Sequence, residues 1–387
     1  MKTPIFHDTT LRDGNQSLKK PWNIDEKLTV LRLITDLGIK HVEAGFPSAG
    51  GMDFEAVDAV CRTADASCTI CALTRAIEKD IAVTAEALKH AANPRIHIVL
   101  AVSPFTIEHM LKKSPMAVKE IAVASVRQAR SLMKDKGQVQ FTGEHFGDCV
   151  DNLDFVKEVF LACADAGADV INMPNTVERY RPHMFTRMVE EVVAVLPKNV
   201  VASVHCHNDL GMATATSVES YFAGAVQIET CLNGIGERAG NANFFETAVV
   251  LHNCGVETGL NMNLFYDTAV RIAEMSGVPI HQKAPLFGGD VVIHRSGIHQ
   301  DGAVKTKGMK KGAYRPMDFS VIGRKNNDHI GFTSQSGTAA IQDILAQAGH
   351  IITPEKAREM LNRCKEASER NGELTPEQIE NIYLGRA

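Results

Sequence analysis

Short apolar runs alternate with amphipathic segments from the start of the chain to about residue 275. The apolar runs are rich in Val, Ile, Leu and Ala and show little two-residue alternation. This is typical of parallel strands that are buried on both faces. We predict eight such strands, at residues 3–8, 40–45, 69–73, 95–102, 138–143, 168–173, 199–206 and 226–231.

The segments between these strands carry apolar residues at helical spacing, as at residues 24–37, 117–134 and 153–166. Eight strand–helix units in series predict an α/β fold of the (β/α)8 TIM-barrel type over residues 1–275. The alternative is an open, doubly wound parallel sheet. Eight strands disfavour it, and no GxGxxG motif follows the first strand.

The pattern changes after residue 275. Residues 280–335 are rich in Gly, His and Lys and show no sustained period. Two helix starts follow, because Thr353 precedes Pro354 and Thr375 is followed three residues later by Gln378. We therefore predict that residues 276–387 form an irregular linker and a mainly helical subdomain.

Composition narrows the functional classes. The chain has 387 residues, of which 44% are hydrophobic and 22% charged, as in a soluble globular protein. A net charge of −5 gives no electrostatic footprint for nucleic acid, and no run of eighteen apolar residues predicts a membrane span. Nine scattered cysteines and the lack of an N-terminal signal-peptide pattern predict a cytoplasmic protein.

A pair of histidines is the strongest chemical signal. His205 and His207 are two residues apart on one strand, so both imidazoles point to the same face and can bind one metal ion. Asp13 follows the first strand and offers a carboxylate. Asn241 follows the eighth strand and offers an amide oxygen. We predict a divalent metal site of Mg²⁺, Mn²⁺ or Zn²⁺ built from these four residues.

Other polar residues also fall near the predicted strand ends, where TIM barrels carry their active sites. A metal site with two open positions suits the carboxylate and keto oxygens of a 2-oxo acid, whose keto group the metal would polarise. Arg12 is placed to balance the developing negative charge, and Thr176 to bind the substrate carboxylate. Glu43 and His97 are candidates for shaping the substrate pocket, with an internal hydrogen-bonding role as the alternative.

Three motifs resemble the metal-dependent TIM-barrel synthases and lyases. They are DTTLRDGNQ at residues 8–16, HCHND at 205–209 and GERAGN at 236–241. SGIHQDG at 296–302 is similar to the 2-isopropylmalate, homocitrate and citramalate synthases. Further segments look most like 2-isopropylmalate synthase, namely EAGFPSA at 43–49, CALTRA at 71–76, NTVE at 175–178 and TSQSG at 333–337. The resemblance covers nearly the whole chain.

The resemblance implies roles for individual residues. Metal ligation falls to Asp13, His205, His207 and Asn241. Catalytic roles fall to Arg12, which steadies the keto oxygen, and to Glu144, His299 and Tyr314, of which the last two are brought to the site by the subdomain. Substrate binding falls to Thr176.

The implied reaction is a Claisen condensation of acetyl-CoA with a 2-oxo acid, 2-oxoisovalerate giving 2-isopropylmalate, followed by thioester hydrolysis. This would be an acyltransferase of leucine biosynthesis. A homodimer is also implied.

Two departures from the family pattern bear on this prediction. His145 follows Glu144 where Asp is more common, and the chain stops at Ala387 without the usual regulatory domain, so we expect no C-terminal regulatory domain. Homocitrate synthase and citramalate synthase are the alternatives, and a hydroxymethylglutaryl-CoA-type lyase is a more distant one. The lyase is expected to carry a reactive cysteine loop, which the region around His299 lacks.

Overall fold

The computed structural model describes residues 2–134, 136–325 and 328–386. The chain divides into two compact units. One contains Met1–Asn261 and Thr268–Pro279, and the other contains Met262–Asp267 and Ile280–Ala387. The division into a barrel domain of residues 1–275 and a linker with a helical subdomain of residues 276–387 stays a prediction.

The first unit is a closed barrel of eight parallel strands in sequential order. β1 pairs with β2 and also with β8, where Asp8 lies opposite Thr230. An open sheet would leave its first and last strands unpaired, so the predicted TIM barrel is confirmed. The strands are β1 Ile5–Asp8, β2 His41–Glu43, β3 Thr69–Arg75, β4 Asn93–Ala101, β5 Gln138–Glu144, β6 Val170–Asn175, β7 Val201–Cys206 and β8 Gln227–Thr230.

Helices follow the strands around the barrel. The first begins with the capping box that Asn23 and Glu26 form, and its Val30, Leu31 and Ile34 are buried. Burying each of these side chains contributes about 2 kcal/mol. The helices are α1 Ile24–Asp36, α2 Gly51–Thr63, α3 Glu78–Ala87, α4 Pro115–Met133, α5 Leu153–Asp165, α6 Pro182–Val195, α7 Ala213–Phe222, α8 Phe244–Asn253 and α9 Phe265–Ser276.

The interior of the barrel is polar. Arg95, Gln140 and Gln227 are all buried there and hydrogen bond to one another. Buried polar groups need such partners, because an unpaired one costs several kcal/mol. Some of the buried polar residues, such as Glu229 on β8, also line the cavity at the strand ends.

The second unit is mainly helical, as predicted. Thr353 and Thr375 cap the two helices at the predicted starts. Its core contains Phe332, Leu345 and Met360. The elements are β9 Ile293–His294, α10 Gly297–Lys305, β10 His329–Ile330, α11 Thr338–Gln347, α12 Pro354–Asn371 and α13 Pro376–Tyr383.

In the described parts of the chain, no helix combines the length and the apolar character that crossing a lipid bilayer requires.

Candidate active site

A cavity of about 290 Å³ opens where the barrel strands end. Parallel strands deliver their carboxyl ends to one rim, so residues far apart in sequence meet there. Seven of the predicted site residues line the cavity: Arg12, Asp13, His97, Glu144, Thr176, His205 and His207. Its apolar wall comes from Phe46, Leu73, Val99 and Pro174.

Three predicted metal ligands form a buried cluster. His205 Nε2 lies 3.3 Å from His207 Nε2 and 3.5 Å from Asp13 Oδ2. One ligand atom from each residue lies within 4.8 Å of the other two. Nitrogen and carboxylate donors this close together fit a single divalent cation.

Asn241, the fourth predicted ligand, joins this cluster through the backbone. It forms an antiparallel bridge with His207, and its side chain donates from Nδ2 to Cys231 Sγ at 3.2 Å. Its Oδ1 is buried, and no described residue hydrogen bonds to it. A buried amide oxygen without a partner is costly unless something else binds it, and a cation does so. The donor set therefore fits the metal predicted from sequence.

Gly236 makes room for this ligand. A Cβ atom at Gly236 would lie 2.5 Å from Oδ1 of Asn241, closer than carbon and oxygen can approach. The GERAGN segment thus needs glycine at its first position so that the Asn241 amide can occupy its place.

Burial and charge set the protonation of the cluster. Burial and the neighbouring His205 lower the pKa of His207 to about 3, so its imidazole is neutral at pH 7. Burial opposes ionisation of Asp13, but Arg12, His205 and His207 together lower the pKa of its carboxyl. The site therefore presents an ionised carboxylate and a neutral imidazole, which are the forms that bind metals.

Arg12 connects the cluster to the interior. Its Nη1 donates to Asp13 Oδ2 at 2.7 Å, and its Nε donates to Glu43 Oε2 at 2.5 Å. Two carboxylates thus hold the guanidinium in one orientation at the cavity wall.

Glu43 lies behind Arg12. It is buried, both of its oxygens are engaged, and it is not among the described residues that line the cavity. Its Oε1 lies 2.5 Å from Nδ1 of His97, whose Nε2 contacts Thr142 Oγ1. Glu43 and His97 thus make internal hydrogen bonds, and a direct contact of either residue with substrate stays a prediction.

Thr176 and Glu144 both line the cavity, but only the Thr176 side chain is held by a hydrogen bond to a described residue. Thr176 Oγ1 accepts from the backbone N–H of His145 at 2.8 Å, so its hydroxyl proton is left to donate elsewhere. The Glu144 carboxylate lines the cavity, and no described residue hydrogen bonds to it or forms an ion pair with it. His145, the departure from the family pattern, pairs through Nδ1 with Asp148 Oδ2 at 2.9 Å instead.

His299 and Tyr314 belong to the second unit. Their rings stack with centroids 4.1 Å apart and an angle of 22° between the planes. Their catalytic roles stay predictions.

Sequence reasoning missed Glu229. This residue is buried on β8, lines the cavity, and places Oε2 3.0 Å from Nδ1 of His205. Burial opposes its ionisation, but His205 and other nearby histidines lower the pKa of Glu229 to about 2. A carboxylate within a predicted buried strand is the signal that could have identified it, because glutamate is rarely buried without a partner.

Comparisons with known proteins agree with this geometry. The HMGL-like family model matches residues 3–272, and the model for the post-catalytic domain of alpha-isopropylmalate synthase matches residues 289–346. The chain is 52% identical to "2-isopropylmalate synthase 2" of Leptospira interrogans, over 97% of this chain and 88% of that protein. It is 36% identical to "2-isopropylmalate synthase" of Heliobacterium modesticaldum, over 98% of this chain and 73% of that protein.

Solved structures support the fold alone. The barrel resembles an HMG-CoA lyase from Brucella melitensis with a TM-score of 0.61 and 18% identity, over 72% of this chain and 100% of that chain. The resemblance predicted from the motifs is confirmed: the chain belongs to the 2-isopropylmalate synthase family, within the larger HMGL-like family.

Proposed function

We propose that the protein is an acyltransferase that condenses acetyl-CoA with 2-oxoisovalerate to give 2-isopropylmalate. One observation carries the proposal: a single cavity combines the Asp13, His205 and His207 cluster and Arg12 with an apolar wall. The polar side suits the carboxylate and keto groups of a 2-oxo acid, and the apolar side suits a branched hydrocarbon chain.

Asp13, His205, His207 and Asn241 would hold the divalent cation, which is Mg²⁺, Mn²⁺ or Zn²⁺. When bound, it would supply Lewis-acid polarisation of the keto group. Arg12 balances the negative charge that develops on the keto oxygen, because its guanidinium is fixed by Asp13 and Glu43 before substrate arrives. Thr176 donates its free hydroxyl proton to the substrate carboxylate.

The condensation breaks a C–H bond of the acetyl methyl group and forms a C–C bond to the keto carbon. Glu144 is placed to take part in this proton transfer, since its carboxylate lines the cavity and is not held by another described side chain. The keto oxygen gains a proton and becomes the hydroxyl. Water then hydrolyses the thioester, which releases the carboxylic acid and the CoA thiol. His299 and Tyr314 are the further catalytic residues that we propose.

The cavity disfavours a substrate with a second carboxylate, as homocitrate synthase would require. His97 is held on both ring nitrogens by Glu43 and Thr142. Arg12 is engaged by two carboxylates. Among the described residues that line the cavity, no further arginine or lysine is available for a distal carboxylate.

A second cavity supports acetyl-CoA as the co-substrate. It has a volume of about 600 Å³ and is lined by residues 233–236 and 238–240 of the glycine-rich segment, which include Arg238, together with Lys19 and Lys20. Three cations around a cavity suit the anionic phosphates of CoA. Gln16 lines the active-site cavity and Ser17 lines this one, so one loop borders both.

The exposed apolar residues near the barrel rim support a homodimer. Met52, Phe105, Met110 and Leu210 follow β2, β4 and β7, and each exposes 60% or more of its surface. Large apolar side chains in such numbers at the rim that carries the site favour burial against another subunit. All nine cysteines are free, which supports a reducing, cytoplasmic location.

The deciding experiment follows release of free CoA thiol. Purified protein with Mn²⁺ and acetyl-CoA is given 2-oxoisovalerate, 2-oxoglutarate, pyruvate or oxaloacetate in separate reactions. We expect the highest kcat/KM with 2-oxoisovalerate. Release with 2-oxoglutarate alone would show a homocitrate synthase, release with pyruvate alone a citramalate synthase, and no release with any acid would refute the proposal.

A further inference from the structure

A buried polar network lies directly beneath the active site. Its centre is Gln140 on β5, which is fully buried inside the barrel. Arg95 on β4 is also buried, and its guanidinium faces glutamines and histidines within hydrogen-bonding reach. A buried cation surrounded by neutral dipoles orients them strongly, because the low dielectric does not screen its field.

The orientation of the Gln140 amide is chemically forced. Its Oε1 lies 3.2 Å from Nη1 of Arg95 and 3.2 Å from Nε2 of Gln227. A guanidinium only donates hydrogen bonds, so the atom that faces Arg95 must be the amide oxygen. The amide NH₂ group of Gln140 must therefore face the opposite way, towards the active site.

That NH₂ group meets Glu229. Gln140 Nε2 donates to Glu229 Oε1 at 2.6 Å, and Glu229 Oε2 lies 3.0 Å from Nδ1 of His205. The Glu229 carboxylate accepts a hydrogen bond from Gln140, which favours its ionised form. An ionised carboxylate can only accept, so the proton in the hydrogen bond between Glu229 and His205 belongs to Nδ1 of His205. The lone pair of His205 is then on Nε2, which is the atom that faces Asp13 and His207.

The same amide is also connected to Arg12 and Asp13, through His97 and Glu43. Gln140 Nε2 lies 3.2 Å from Nε2 of His97, which continues through Glu43 to Arg12. Arg12 in turn donates to Asp13. One glutamine thus connects two predicted metal ligands, His205 on β7 and Asp13 in the helical turn that follows β1.

We propose that Gln140 is a positioning residue for the metal site: with its amide fixed by Arg95, it acts through Glu229 to hold His205 in the tautomer that ligates through Nε2. This inference rests on the metal-dependent function proposed above. Groups behind a histidine ligand that fix its tautomer typically change metal affinity or activity by about 10- to 100-fold. Gln140 itself touches neither metal nor substrate in this scheme.

The test compares two glutamines of the same layer. Gln140→Leu removes the amide that contacts Glu229. Gln227→Leu is the control: it removes an equally buried amide that donates to Gln140 Oε1, but it leaves in place both the Arg95 contact that fixes the Gln140 amide and the Gln140 contact with Glu229. Mn²⁺ affinity is measured by isothermal titration calorimetry on full-length protein, the Co²⁺ complex is recorded by visible absorption, and thermal unfolding is followed in EDTA.

We expect the Mn²⁺ dissociation constant to rise at least tenfold in Gln140→Leu and less than threefold in Gln227→Leu, with a changed Co²⁺ spectrum only in the former. Equal losses in both variants, or none in a folded Gln140→Leu, would overturn the inference. A purely structural role would lower the unfolding temperature of both variants and leave the Co²⁺ spectrum alone.

A second measurement needs no substitution at Gln140. Zn²⁺-loaded protein labelled with ¹⁵N-histidine should show His205 coordinated through Nε2 and protonated on Nδ1, with its signals identified by their loss in His205→Asn. Coordination through Nδ1 would refute the inference even if Gln140→Leu failed to fold. A His207→Ala variant that bound Mn²⁺ as tightly as the unchanged protein would refute the metal-dependent function proposed above. That result is distinguishable from a failure of the Gln140 inference alone.

Discussion

The Nε2 atoms of His205 and His207 face each other at 3.3 Å in the mouth of the barrel. Both rings are buried, and their planes meet at 69°. Two imidazole nitrogens this close cannot both carry protons without repulsion, and the lowered pKa of His207 reflects this, with burial as the larger cause. A divalent cation held by both residues would resolve the conflict, because both nitrogens would then donate lone pairs to it.

His207→Ala should therefore lose metal and turnover together. Removing one of the four proposed ligands leaves Asp13, His205 and Asn241, which is too few for tight binding of Mn²⁺. We expect at least a hundredfold weaker Mn²⁺ binding by calorimetry and no measurable thiol release. His252→Ala is the control, because His252 is exposed in the last turn of α8 and is not part of the cluster. It should match the unchanged protein in both assays.

Glu144→Gln should separate metal binding from chemistry. The substitution keeps the shape of the side chain but removes its ability to accept a proton. We expect kcat for thiol release to fall by about a hundredfold or more, as for loss of an acid–base group. Mn²⁺ affinity should stay within threefold, since Glu144 is not in the metal cluster.

The control for this prediction is Glu158→Gln, which changes an exposed carboxylate on α5 that pairs with Lys119. It should leave both kcat and Mn²⁺ affinity unchanged. A Glu144→Gln enzyme with ordinary kcat would remove Glu144 from the proton-transfer step.

Cys231→Val tests how Asn241 is oriented. Asn241 donates from Nδ2 to Cys231 Sγ at 3.2 Å, which fixes the amide with its buried Oδ1 unpartnered among the described residues. Valine has a similar volume but cannot accept a hydrogen bond, so the amide is free to rotate. We expect a roughly tenfold loss of Mn²⁺ affinity. Cys163→Val is the matched control, because Cys163 is equally buried and belongs to helix α5, away from the strand ends. Equal Mn²⁺ affinity in the two variants would contradict this account.

The fold and the grouping of His205 with His207 could be predicted from sequence because their signals are local. The run predicted at 95–102 is β4, Asn93–Ala101, and the run at 199–206 contains β7, Val201–Cys206. Strand alternation alone places His205 and His207 on one face. The count of eight units then predicted the closed barrel.

The buried polar network around Gln140 could not be predicted, because the residues in contact are far apart in sequence. Gln140 and Glu229 are 89 residues apart and meet across the barrel interior. Their contact depends on the register that barrel closure imposes on every strand. In the sequence, each residue is only a polar position in a strand. The same holds for Glu43 and His97, for which the sequence allows both a pocket role and an internal hydrogen-bonding role.

His7 should make the barrel sensitive to mild acid. It is fully buried on β1, and no described residue hydrogen bonds to its Nε2. Burial lowers the pKa of His7 to about 4, with a further contribution from Arg95, so the folded protein holds it neutral. Unfolding exposes an imidazole with an ordinary pKa near 6.5. The contribution of neutral His7 to the free energy of unfolding is therefore fully present above pH 6.5. It is lost progressively as the pH falls from 6.5 towards 4.

His7→Phe removes this titration and keeps a ring of similar size. Between pH 7.5 and 5.5 the unchanged protein should lose about 1 kcal/mol more unfolding free energy than His7→Phe does. Urea unfolding in EDTA, followed by the fluorescence of Trp22, measures the difference. Trp22 is the single tryptophan and lies in the barrel unit, so its signal reports that unit directly. Parallel pH profiles for the two proteins would show that His7 is not held neutral, because a titrating group that differs between the folded and unfolded states must change the slope.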